Sequence, residues 1–350
     1  MLSTLHSGKL YTVVIVCLLC YLKITVPVCA AESAVILMYH RFRESRYPST
    51  NTTVNQFRSH ISELKNKNYV VKPIPKIIAA LRRGKPLPPR TIGISIDDAF
   101  LSVYEIAGPI LYRANFPYTL FVATEPLDRG APGYMSWGQL RELIKGGANI
   151  GSQTATHLHM PETSAKINME DLENSNKRFK KELGITPKMI AYPYGEYSLE
   201  VEKVSLAAGF TTGFGQHSGV VYKNSNFMYL PRFTFNESYG DINRVRLAIR
   251  ALALKVRDIT PADPYLKDNI NPPTFGFSVE EDSIRDISRL ACYVTGQGRV
   301  RTEILGKRRV EVRGLKAFSP GRTRVNCTLP VHGGRWRWLG MQFLVPALQN

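Results

Sequence analysis

The sequence predicts an α/β protein, a barrel-like array of β-α units followed by a small all-β domain. Two patterns carry that reading. From residue 34 to about 235, short apolar runs alternate with stretches of helical period. Repeated β-α units of this length imply a parallel sheet, and this many suggest a barrel. Beyond residue 277 the period changes. "RVRTEIL", "RRVEVRGL", "TRVNCTLPV" and "WRWLGMQFLV" alternate apolar and polar residues and are separated by Gly or Pro, the pattern of strands. The expected units are therefore a barrel domain over 34–258, a Pro-rich linker or wrapping segment over 259–277, and a β-domain over 278–350.

Each element has a local reason. "AVILMYH" reads as a buried strand. The helix that follows starts at Thr53, with Gln56 in capping-box register and Phe57, Ile61 and Leu64 on one face. "TIGISID" is a second strand, followed by a helix through "VYEIAGPILYRA"; "YTLFVA" is a third strand. "SWGQLRELIKGG" is a helix with Ser136 and Gln139 as its box and Gly146–Gly147 as its stop. "ANIGSQ" is a strand, and a polar helix over about 164–183 ends at Gly184. "KMIAYPYG" and "SLEVEKVSLAAG" form one more strand and helix, and residues 240–258 add a helical pattern.

The N-terminus reads as a targeting segment. Lys9 precedes "LYTVVIVCLLCYL", and Val28 and Ala30 fit the −3 and −1 positions of a signal peptidase site. Residues 1–30 are expected to be a signal that directs export to the periplasm or the exterior. The alternative is an uncleaved membrane anchor. Removal of the signal takes Cys17, Cys20 and Cys29 with it. Cys292 and Cys327 remain, and an isolated pair in an oxidising compartment is a disulfide candidate. Formal charge is +18, and residues 291–350 alone hold 11 Lys/Arg against 2 Glu. Such a surface suits an anionic partner. For an exported chain that argues against nucleic acid and for an envelope polymer or membrane surface.

Three segments place polar chemistry after strands. "SIDDAF" sets Asp97 and Asp98 at a strand's C-terminal end, where parallel β/α folds build their sites. Adjacent carboxylates there can divide roles, one binding a cation and the other acting as a base. "GSQTATHLHM" carries His157 and His159, which share a face only in extended chain. "AYPYGEY" makes a sharp turn at Pro193 and Gly195 that can expose a backbone N–H to a developing oxyanion. Taken singly, each has a plainer reading as a cap, a loop or a turn.

Together, in order and spacing, the three resemble the motifs of polysaccharide deacetylases of carbohydrate esterase family 4, the NodB-homology fold, over about residues 34–235. "ILMYHRF" looks like the family's opening strand. The resemblance implies a distorted (β/α) barrel with fewer than eight regular units. It implies metal-dependent hydrolysis of acetyl groups on a sugar polymer such as an exopolysaccharide or peptidoglycan. By position, Asp97 is the general base, Asp98 and His157 bind a divalent metal such as zinc, and the Tyr194 N–H helps hold the oxyanion. Three departures stand out. Gln153 replaces the usual first ligand histidine, Ala191 replaces an arginine that orients the base, and no C-terminal Leu-x-His supplies the acid. His217 is a poor match for that acid.

The third ligand is therefore open. His159 can be recruited, Gln153 can ligate weakly through its amide oxygen, or the barrel can lack metal and only bind glycan. In "RWRW", strand geometry puts Trp336 and Trp338 on one face and Arg335 and Arg337 on the other. The tryptophans can stack on sugar rings or pack in a core.

Overall fold

A computed structural model of the chain describes residues 31–267 and 270–347. The expected signal, residues 1–30, lies outside them. No helix among the described residues is long and apolar enough to cross a membrane.

The first layer is a curled parallel sheet. Its main strands are β1 (Ser33–Tyr39), β2 (Thr91–Asp97), β3 (Thr119–Val122), β4 (Asn149–Ser152), β5 (Met189–Ala191) and β6 (Thr212–Phe214), adjacent in that order. Every residue of β2 is buried, and so is all of β1 after Ser33. Near-continuous apolar runs result because such strands are covered on both faces. Between the sheet's two edges the chain returns once more. Leu230 bridges Phe214 of β6, and Phe233–Thr234 pairs in parallel with Leu37 and Met38 of β1. This short segment carries Arg232 into the interior, where it is fully buried.

The expected caps form. Thr53 with Gln56 and Ser136 with Gln139 make both halves of their capping boxes, and Gly184 ends the helix Ala165–Leu183 at φ 71°. A helix at Ile74–Arg82, absent from the sequence reading, packs Ile74, Ile77, Ile78 and Leu81 inward. Over 240–258 only Ile242–Ile249 is helical; the rest turns into strand.

The second layer is an eight-stranded sheet. Its strands include β7 (Val256–Thr260), β8 (Gly276–Val279), β9 (Ala291–Val294), β10 (Gly298–Leu305), β11 (Arg309–Arg313), β12 (Gly321–Val331) and β13 (Arg335–Val345). Of the Pro-rich stretch, expected as a linker or wrapping segment, residues 259–260 and 276–277 belong to β7 and β8, which pair antiparallel. Cys292 and Cys327 face each other on β9 and β12 and form a disulfide.

The hairpin β12–β13 docks on the barrel. A Cβ added to Gly340 would lie 2.0 Å from the Ser218 carbonyl oxygen, so only glycine admits this approach. Trp338 packs edge-on against Phe233 and donates to Asn326 at 2.9 Å, whereas Trp336 stays 36% exposed. Arg335 and Arg337 donate to the carbonyls of Arg250 and Ala253. Most of "RWRW" thus serves docking, and Trp336 alone remains available as a sugar platform.

Candidate active site at the strand ends

The ends of β1, β2, β4 and β5 converge on one cluster. Asp97, the last residue of β2, is fully buried. Arg232 meets it with both terminal nitrogens, at 2.7 Å and 2.9 Å. The same guanidinium reaches Ser95 Oγ at 3.1 Å and the Gly215 carbonyl at 3.0 Å. A planar fork matches a carboxylate in this way and compensates its burial. This guanidinium comes from the returning segment, far along the chain from Ala191, where the resemblance leads one to expect an arginine. His40, just past β1, is 5% exposed, with Nε2 at 3.9 Å from Asp97 Oδ2 and Nδ1 without a hydrogen-bond partner.

Asp98 leaves the strand at φ 75°. Its N–H is shared between the Phe121 carbonyl at 2.9 Å and Gln153 Oε1 at 3.0 Å. Its Oδ1 is buried, satisfied by no hydrogen bond, and 3.3 Å from His157 Nε2. Burial alone would raise this carboxyl. Its interaction with His157 and the nearby charges of His40, His157 and Arg41 outweigh that and hold it below the usual carboxylate range.

The loop after β4 is shaped by Asp171, which the sequence reading missed. From the buried face of helix Ala165–Leu183 it accepts from the N–H groups of Ala155 and Thr156 and from Thr156 Oγ1, at 2.7, 3.2 and 2.7 Å. His157 itself sits at φ 61°, its N–H on Thr154 Oγ1. Gln153 is fully buried; the Asp98 N–H occupies its amide oxygen, and its Nε2 has no partner.

His159 is not brought to the Asp98–His157 pair. Its Nδ1 bonds Glu196 at 2.7 Å and its ring stacks on Tyr194, centroids 4.1 Å apart. His157 meets the same Tyr194 ring edge-on at 4.6 Å. Burial raises the Glu196 carboxyl, with His159 and Arg322 opposing. Among the described residues no three His, Cys, Asp or Glu side chains converge as a metal cluster.

Asp98 and His157 nonetheless fit a cation. Two ligands on a tetrahedral centre with bonds of about 2.0–2.1 Å stand about 3.3–3.4 Å apart. The orphaned carboxylate oxygen and the imidazole nitrogen have that separation. Tyr194 completes the cluster at φ 60°, ψ 5°, and its N–H makes no hydrogen bond among the described residues. His217, at 4% exposure, packs its ring on Tyr229 at 4.3 Å, and its carbonyl accepts from the Arg232 N–H at 2.9 Å.

Residues 84–213 match the polysaccharide deacetylase family. The poly-beta-1,6-N-acetyl-D-glucosamine N-deacetylase of Staphylococcus aureus strain MRSA252 is 28% identical over 237 residues, covering 59% of this chain and 80% of that protein. Two solved structures share the fold. The Streptococcus pyogenes deacetylase PplD, in complex with acetate, matches at TM-score 0.58 and 18% identity, covering 63% of this chain and 99% of its own. IcaB from Ammonifex degensii matches at 0.55 and 22%, covering 60% and 95%. Residues 84–213 thus match a polysaccharide deacetylase domain, and the fold around them is that of the two deacetylase structures.

Proposed function

We propose that the protein is an exported, metal-dependent deacetylase that removes N-acetyl groups from a glucosamine-containing polysaccharide. The observation that carries the chemistry is the buried, unsatisfied Asp98 Oδ1 at 3.3 Å from His157 Nε2. The substrate class follows the named activity of the staphylococcal relative. A non-catalytic, glycan-binding role finds no support in these comparisons.

Asp98 and His157 would hold a divalent first-row cation, zinc suiting the carboxylate and imidazole donors. When bound, the ion polarises the acetyl carbonyl and makes a water more acidic. Asp97 accepts the proton of the attacking water, held in place by the Arg232 fork. The carbonyl carbon gains the water oxygen, the C–N bond breaks, and the products are acetate and a free amine. The Tyr194 N–H receives the oxyanion. His40, beside Asp97, gives the leaving nitrogen its proton, the task left open by the missing Leu-x-His. His159 would become the third ligand only by leaving its stack on Tyr194 and turning toward the Asp98–His157 pair. Its Nδ1 is tied to a carboxylate and its Nε2 is left as donor, the arrangement metal-bound histidines commonly have. Gln153 instead holds the Asp98 backbone.

The test measures metal content and acetate release from an N-acetylglucosamine oligomer. Asp97→Asn is expected to keep the metal and lose activity. Asp98→Ala and His157→Ala lose both. His159→Ala lowers metal affinity while Gln153→Ala lowers it less. Metal loss in Asp97→Asn would move that residue into the coordination sphere. A His159→Ala protein with full metal beside a metal-free Gln153→Ala protein would reverse the third ligand.

A further inference from the structure

We infer that the second sheet is part of the catalytic site, with Gln342 and Arg322 as positioning residues for the Tyr194 N–H; this rests on the oxyanion role proposed above. Tyr194 holds a left-handed conformation that a tyrosine keeps only when its surroundings impose it. Two peptide planes flank that residue. The plane before it is set within the turn, where the Pro193 carbonyl accepts from the Glu196 N–H at 3.1 Å. The plane after it is set from the second sheet. The Tyr194 carbonyl accepts from Gln342 Nε2 at 3.1 Å and from an Arg322 terminal nitrogen at 3.4 Å. The Tyr194 N–H lies in the first of these planes; the second holds ψ of Tyr194, and so keeps the turn that sets the first.

Arg322 reaches further into the same group. Its guanidinium lies 5.3 Å from the centre of the Tyr194 ring, and its Nε is 3.7 Å from Glu196 Oε1. Glu196 in turn holds His159. Arg322 and Gln342 stand on the same face of the hairpin β12–β13, since Arg324 is the register partner of Gln342 and strand side chains alternate. That face is seated firmly. The Gln342 carbonyl accepts from Tyr229 at 3.3 Å, and Gly340 lies against Ser218. Both residues lie beyond the stretch 84–213 that the family matches, so the clamp comes from a separate part of the chain.

The experiment compares the full chain with Gln342→Ala, Gln342→Glu, Arg322→Ala and Arg322→Lys. It reads kcat and KM for acetate release, bound metal, melting temperature, and amide exchange over residues 193–196. Gln342→Ala should lower kcat by about tenfold with KM within about twofold, because the donor is misaimed rather than removed. Metal content and melting temperature should stay near wild type. Gln342→Glu should lose at least as much, since a carboxylate cannot donate to a carbonyl. Arg322→Ala should lose about threefold and Arg322→Lys recover part of it. Amide exchange at 193–196 should quicken in Gln342→Ala. Unchanged kcat in folded Gln342→Ala and Arg322→Ala overturns the proposal, as does a kcat loss matched by an equal loss of folded protein in every variant. If the wild type releases no acetate from any acetylated glycan, the oxyanion reading fails by itself. Exchange then decides the clamp, and equal exchange in wild type and Gln342→Ala rejects it.

Discussion

The strand-end cluster and the seam between the two sheets bury polar groups in opposite ways. At the strand ends charges are kept and paired: Arg232 and Asp97 are both fully buried and joined by two hydrogen bonds. Asp98 stays ionised beside His157 and His40. At the seam a buried imidazole stays neutral. His217 is pushed down to about 3 by burial, with the charges of Arg232 and Arg324 adding to it. It packs with Tyr229, which stacks on Tyr197 at 4.2 Å. These residues line a cavity of about 420 Å³ between the sheets. The difference follows from what each region does. Hydrolysis needs carboxylates ionised at neutral pH, so their burial requires partners.

The contrast is broken most severely at Arg232. Arg232→Ala leaves Asp97 as a buried, unpaired carboxylate and is expected to cost about 3–5 kcal/mol, with acetate release abolished. Arg232→Lys should recover stability in part but not activity, because an ammonium cannot make the two-point contact. Urea denaturation with an acetate assay measures both. A loss below about 1 kcal/mol would mean the pair behaves like a surface one.

The second sheet answers next. The Cys292–Cys327 bond closes a separation of 35 residues, so its removal should cost about 3–4 kcal/mol on the chain-entropy model. Calorimetry with and without reductant should show the second sheet melting earlier. Two titratable thiols in unfolded, non-reduced protein would mean that the bond is not formed.

His217 gives the smallest effect, and one that depends on pH. Its folded value is depressed, so the folded state prefers the neutral ring. The unfolded chain takes up a proton near pH 6.5 and the folded protein does not until about 3. Stability from this group is complete above about pH 6.5 and falls as pH drops toward 3. Between pH 7 and pH 4 the loss is about 3 kcal/mol. His217→Gln should flatten the urea midpoint over that interval; an unchanged slope would place the ring in contact with solvent.

Much of the barrel was legible because its signals are local. Capping boxes at Thr53 and Ser136, the glycine stop at Gly184 and the apolar runs of β1 and β2 each depend on residues within one turn or strand. The motif residues were legible for a related reason, since strand ends in a parallel fold point to one side. The helix Ile74–Arg82 escaped notice because it follows Pro73 with no capping side chain. The Pro-rich stretch shows the limit of such signals, because proline content marks a turn without telling whether the strands on either side pair.

Asp97 ends a buried strand, Asp98 follows it and His157 lies in the loop after the next-but-one strand, an arrangement the sequence by itself predicts. The partners of those residues came only with the tertiary structure. Arg232 reaches Asp97 across 135 positions and Gln342 reaches Tyr194 across 148. Asp171, Glu196 and His40 look in sequence like ordinary polar residues on a helix, in a turn and after a strand. Spacing along a chain reports which side chains share a face, and that is set by backbone period. Which carboxylate meets which guanidinium is set by how the sheet curls and what returns across it, and no period encodes that.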